Sequence, residues 1–88
     1  MEKTEEAASK EMKRMKEIFS SLKISRDKKA AEFYSFAKNY CTDGIYFFKE
    51  KKFIEAFEAF IISWAYIDIG LKLNLFSVPK EQKRFFTA

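Results

Sequence analysis

Histidine is missing from this 88-residue chain, cysteine and proline occur once each, and glycine occurs twice. Each shortage closes off a class of fold or chemistry. Without imidazoles there is no zinc cluster of the usual kind, and a di-iron bundle lacks the histidines that stand beside its carboxylates. A lone Cys41 rules out an internal disulfide and fits a protein of the reducing cytoplasm. An all-β chain needs many turns, and the residues that make turns are scarce, so strands are not expected. Long apolar runs are absent too. The stretch Ala59 to Ile62 is four residues long and no run exceeds it, well short of a membrane span, so no membrane partner is expected. The opening Met1, Glu2, Lys3, Glu5 and Glu6 are unlike a signal peptide.

What the chain does contain is apolar and aromatic: 48% hydrophobic residues, 18% aromatics and eleven Phe. That composition is far too apolar for a disordered segment. The length suits one domain over residues 1–88. Seventeen basic residues against thirteen acidic leave a net charge of +4. Lys and Glu are abundant while Gln occurs once and Asn twice, a balance that leans towards a thermophile.

The spacing of apolar residues predicts three helices and an all-α, three-helix up-and-down bundle. The first runs over about 5–22, with Thr4 as its N-cap. Ala8, Met12, Met15, Phe19 and Leu22 step by four and three along one narrow stripe, widened by Ile18. A turn at Lys23 to Ser25 follows, with Ser25 as the next cap; one continuous helix through this point is the alternative. The second helix covers about 26–50 and has two adjacent stripes. Ala30, Tyr34, Ala37, Cys41, Gly44 and Phe48 form one, and Phe33, Phe36, Tyr40 and Phe47 form the other. Two stripes suit a helix with two neighbours. Gly44 costs a helix about 1 kcal/mol against Ala, so its place implies close approach of another helix. Lys51 and Lys52 make the second turn.

The third helix, about 53–73, has its main seam at Phe53, Phe57, Phe60, Trp64, Ile67 and Leu71. A line of small residues, Ala56, Ser63 and Gly70, suits tight contact with another helix. Ile54, Ile61, Ile62, Ala65 and Ile69 remain, spread round most of the circumference, which marks this helix as the central one. Asn74 is placed to take the left-handed position after the helix, with Leu75 and Phe76 folding back and Pro79 preventing resumption. Within the tail 77–88, Lys80 to Ala88 is polar except for Phe85 and Phe86, and it either frays or pins one end of the bundle.

Three stretches carry a resemblance: FAKNYCTDGIYFF (Phe36 to Phe48), AFEAF (Ala56 to Phe60) and SWAYIDIGLKLNLF (Ser63 to Phe76). Together they resemble the archaeal domain-of-unknown-function family numbered 357. Asn39, Tyr40 and Asp43 match its Asn-Tyr and Asp, Ala56 and Phe57 its helix start, and Trp64 and Asp68 its aromatic segment. The chain departs from the pattern at Lys51 and Lys52, where a turn glycine is expected, at Trp64, which stands a few residues early, and at Asn74, which replaces the terminal glycine. The resemblance implies a three-helix bundle and no assigned activity. The region from Tyr40 to Phe60 also resembles one tetratricopeptide-like hairpin, but a single hairpin cannot build a solenoid.

No catalytic residue, metal ligand or cofactor is expected. Pairing positions equidistant from the second turn sets Asp43 near Phe60 and Asp68 near Ser35, about 12 Å apart along the helix, which is too far for one acid/base site. Structural roles are the expectation for Asn39, Tyr40, Asp43, Trp64 and Asp68. The same rule sets Asn39 opposite Trp64, where its carbonyl could accept the indole N–H. Cys41 reads as a small buried apolar residue. Lys23, Arg26, Lys28 and Lys29 cluster at one turn and Lys49, Lys51 and Lys52 at the other, so they form no single basic face. The leading expectation is a non-enzymatic protein-interaction module whose interface includes Ile54, Ile61, Ile62 and Ile69. Its partner would be a second copy or a helix of another protein. Two alternatives stand beside it: a nucleic-acid-associated protein using its basic helix ends, and a tail that covers the isoleucines through Phe85 and Phe86.

Overall fold

The computed structural model describes residues 3–88; Met1 and Glu2, which open the stretch read as unlike a signal peptide, lie outside the described residues. Three long helices pack against one another: α1 (Lys3–Ser21), α2 (Lys28–Lys49) and α3 (Phe53–Lys72). The broadest contact is between α2 and α3, while α1 rests chiefly on α3 and only lightly on α2. The expected stripes supply the core, except that Phe36 of the second α2 stripe and Phe57 of the α3 seam are exposed. Ala8, Met15 and Ile18 from α1, Ala30, Ala37 and Cys41 from α2, and Ala56, Phe60 and Ile67 from α3 meet in one core.

The helix ends explain themselves chemically. α2 begins later than expected, because Asp27 rather than Ser25 is its cap: Asp27 Oδ1 accepts the Lys29 N–H at 2.8 Å. Ser25 serves one step earlier, its Oγ accepting the Asp27 N–H at 3.3 Å. Thr4, expected ahead of α1, is already inside it. Helices α1 and α2 are separate, so the continuous-helix alternative falls. Both α2 and α3 end in a left-handed residue followed by a six-to-one hydrogen bond. Lys51 has φ 59° and Asn74 φ 60°. The Lys52 N–H reaches Phe47 O at 2.9 Å, and the Leu75 N–H reaches Gly70 O at 2.8 Å. Lys51 thus takes the left-handed position at which the resemblance implied a glycine.

Side chains interlock along the α2–α3 interface at a steady register. Phe48 meets Phe53 edge-on, Phe60 covers Gly44, Ser63 Oγ donates to the Ala37 carbonyl at 2.6 Å, and Phe33 meets Tyr66. A Cβ on Gly44 would stand 2.6 Å from Phe60 Cε1, so the close approach read from the sequence is present. Gly70 differs from expectation. It faces the ring of Phe76, which folds back after α3, rather than another helix.

Strands, not expected from the sequence, do occur. Lys23–Ile24 (β1) pairs antiparallel with Phe76–Ser77 (β2), and the Ser25 N–H extends the ladder to Leu75 O at 2.9 Å. The cause is local. Asn74 reverses the chain after α3 and lays it alongside the α1–α2 connection, where the backbone groups of both linkers need partners. The tail does not fray. Residues Lys80–Phe85 form a 3-10 helix that returns over α1 and α3.

Candidate interaction surface

On α3, Ile54, Ile61, Ile62, Ala65 and Ile69 do not ring the helix. At 3.6 residues per turn they fall within a sector of about 100°, facing away from the α1 and α2 side where Ala56, Phe60, Ser63 and Ile67 are buried. Three of the four isoleucines are well exposed: Ile54 by 61%, Ile62 by 40% and Ile69 by 47%, with Leu73 continuing the line at 55%. Ile61 and Ala65 are half-buried. Glu58 and Lys72 are the charged residues inside the sector, and Glu55 stands at its edge.

An aromatic shelf flanks this face. Tyr66 of α3 stacks on Phe36 and Tyr40 of α2, with ring centroids 5.4 and 6.1 Å apart, and Phe36 is exposed. Beside it an open groove is lined by Tyr40, Asp43, Phe47, Glu55, Glu58 and Ile62. Asp43 thus shares this groove with Glu55 and Glu58. No group of three or more His, Cys, Asp or Glu among the described residues could hold a metal ion. The sequence missed Phe36, Tyr66 and Leu73 as parts of this surface. Phe36 read as core because it keeps helical spacing with Phe33, Tyr40 and Phe47.

The tail covers a different side. Trp64 Nε1 donates to the Phe85 carbonyl at 2.9 Å, and the Trp64 ring stacks on Phe86 at 6.1 Å with planes 3° apart. This corrects the expected acceptor: Asn39 is exposed, and the indole points to the tail instead. Buried Asp68 takes both hydrogen bonds that Thr87 can give, from its N–H at 2.9 Å and its Oγ at 2.7 Å, and Lys72 Nζ lies 3.6 Å away. Burial pushes the Asp68 carboxyl upward, but the Thr87 hydrogen bonds and Lys72 outweigh it and hold its pKa below the ordinary 3.8. Gln82 secures the tail's other end, donating to Ser21 Oγ at 2.8 Å. The guanidinium groups of Arg14 and Arg84 lie 5.7 and 4.4 Å from the centroid of the Phe85 ring, and Arg14 pairs with buried Glu11. Phe85 and Phe86 thus bury the Trp64 side and leave Ile54, Ile62 and Ile69 uncovered.

Cys41 is 3% exposed, and burial raises its thiol pKa against the opposing pull of Lys38 and Lys16. It packs as an apolar group. The two basic clusters are exposed and stand at opposite ends of the 22-residue α2, about 33 Å apart. No helix among the described residues is long and apolar enough to cross a membrane.

The family model described as "Protein of unknown function (DUF357)" matches residues 3–76. The chain belongs to this family. No curated protein and no solved structure matches it. The match spans all three helices and the ladder up to Phe76, and it stops before the tail whose Phe85, Phe86 and Thr87 are the partners of Trp64 and Asp68.

Proposed function

We propose that this protein is a non-enzymatic interaction module that docks another protein through the outer face of α3. The observation that carries the reading is the sector of Ile54, Ile61, Ile62, Ile69 and Leu73, which the chain's own tail passes by while covering the Trp64 side. Contiguous apolar surface of this kind is uncommon on a monomer and marks contact sites. The helix order supporting that face runs up, down, up. Its support is the α2–α3 register, in which partners of rising α3 number (Phe53, Phe60, Ser63, Tyr66) belong to falling α2 number (Phe48, Gly44, Ala37, Phe33). The enriched carboxylates of the flanking groove argue against a nucleic-acid backbone on this side.

Site-specific photo-crosslinking tests the reading. A photoreactive phenylalanine analogue at Ile62 should form protein adducts in an extract of the source cell, and the same group at Lys13, on the exposed side of α1, should not. Absence of protein adducts from position 62, or adducts to nucleic acid there, would overturn it.

A further inference from the structure

We propose that the occupant of this α3 face is a second copy of the chain, with the two α3 helices running in opposite directions across a two-fold axis at Ala65. The inference rests on the interaction-surface reading and names its partner. The argument comes from where the charges lie on an otherwise apolar sector. Glu58 stands seven residues before Ala65 and Lys72 seven residues after it, and both are exposed. An axis through Ala65, perpendicular to the helix, brings position n of one copy opposite position 130 − n of the other. Glu58 then faces the partner's Lys72, and symmetry repeats the pair, so each interface gains two opposite-charge contacts. The same operation sets Ile61 against the partner's Ile69, again twice, with Ile62 one position away.

Other arrangements lose these matches. A parallel pairing sets Glu58 against Glu58 and Lys72 against Lys72, which like-charge repulsion disfavours. Sliding the axis by one turn, to the Ile61–Ile62 step, sets Glu58 against Ala65 and leaves it without a cation. Ala65 at the axis has the smallest side chain of the sector, which lets the helices approach closely where they cross. Lys72 is free to turn: its present bond to Asp68 is a half-exposed i,i+4 contact at 3.6 Å, and such surface pairs contribute little. Asp68 keeps both Thr87 hydrogen bonds when Lys72 leaves.

Sedimentation equilibrium on the full chain, from about 1 to 500 μM at low salt, reads the association directly, since contacts of modest area give micromolar dissociation constants. The expected result is a monomer–dimer equilibrium that I62D weakens by more than about tenfold. Glu58→Lys should weaken it by about five- to tenfold, and the double swap E58K/K72E should bring it back to within about twofold of the parent. K72E alone puts a carboxylate one turn from Asp68, so K72Q serves as the single loss at that position, with unchanged far-ultraviolet circular dichroism as the control for folding. A parent chain that stays monomeric at 500 μM overturns the self-pairing, and adducts to other proteins at position 62 would then keep the interaction reading alive. A dimer indifferent to I62D, or one weakened by E58K and not restored by the double swap, also overturns the proposal.

Discussion

Adding one methyl group at Gly44 tests the tightest approach in the core. A Cβ there would lie 2.6, 2.7 and 2.9 Å from three atoms of the Phe60 ring. Phe60 is fully buried, and the ring has no exposed direction in which to retreat. Three contacts under 3.0 Å against an immobile ring put the overpacking cost at the upper end of the usual range, about 2–3 kcal/mol. Alanine returns about 1 kcal/mol of helix propensity and backbone entropy. Gly44→Ala should therefore destabilise the protein by about 1–2 kcal/mol, which in a chain of this length lowers Tm by roughly 5–15 °C. Urea unfolding followed by circular dichroism at 222 nm and by Trp64 fluorescence gives the difference, with the denaturant slope unchanged. The cause is isolated by a second substitution. In a Phe60→Leu background the clashing Cε1 and Cζ are gone and the remaining Cδ1 sits on a freely rotating branch, so the G44A penalty should shrink to about zero or reverse, a coupling visible as a double-mutant cycle. Gly44→Ala that is neutral or stabilising in the parent chain would refute the argument, as would an equal penalty in both backgrounds.

Lys51 holds φ 59° without being glycine, so K51G should relieve left-handed strain and raise stability by about 0.5–1 kcal/mol in the same urea experiment; a loss of stability would show that the Lys51 side chain contributes more than the strain costs. The Asp68–Thr87 latch gives a signed pH response. Its folded pKa lies below 3.8, so its contribution is fully present well above that value and is lost as pH falls past 3.8 through the lowered value. Trp64 emission should shift to longer wavelength over that acid window, and Asp68→Asn should shift it at neutral pH; an unchanged spectrum in D68N would mean the tail is held without the latch. Cys41 should react with a thiol reagent only as fast as the protein opens, so its modification rate should rise with urea in step with unfolding, whereas rapid labelling of the native chain would contradict its burial.

The long elements were legible because their chemistry is periodic. The α1 stripe through Met15 and Ile18 and the α2 stripe through Ala37 and Cys41 both end in the core, and Asn74 takes the left-handed position read for it. What escaped has no period. β1 and β2 are two residues each, too short to alternate, and they exist because helix ends lie side by side. Position along the axis alone pairs Trp64 with Asn39. Two residues can stand at one height on neighbouring helices and still point apart, and Trp64 sits on the seam that meets the tail. The same blindness hid Thr87 as the partner of Asp68, and it hid Glu11, a charge buried with Arg14 beneath a segment more than sixty residues away. The candidate face was legible as a set of leftover isoleucines. Their gathering on one side followed from helical geometry, but the aromatic shelf of Phe36 and Tyr66 required the α2–α3 register to be seen.

The hydrogen bond from Gln82 to Ser21 joins residues 61 positions apart, and it fixes an order of events during synthesis. At about 5–20 residues per second, a ribosome needs several seconds to advance from Ser21 to Gln82. Until residues 53–72 have been made α1 has no α3 beneath it, and until residue 82 has been made it has no 3-10 segment above it. The α2–α3 hairpin, whose contacts are close in sequence, can form as soon as it emerges. The earliest of these three helices is thus among the last to be sealed, and nascent chains arrested before residue 80 should leave it open to proteases and chaperones.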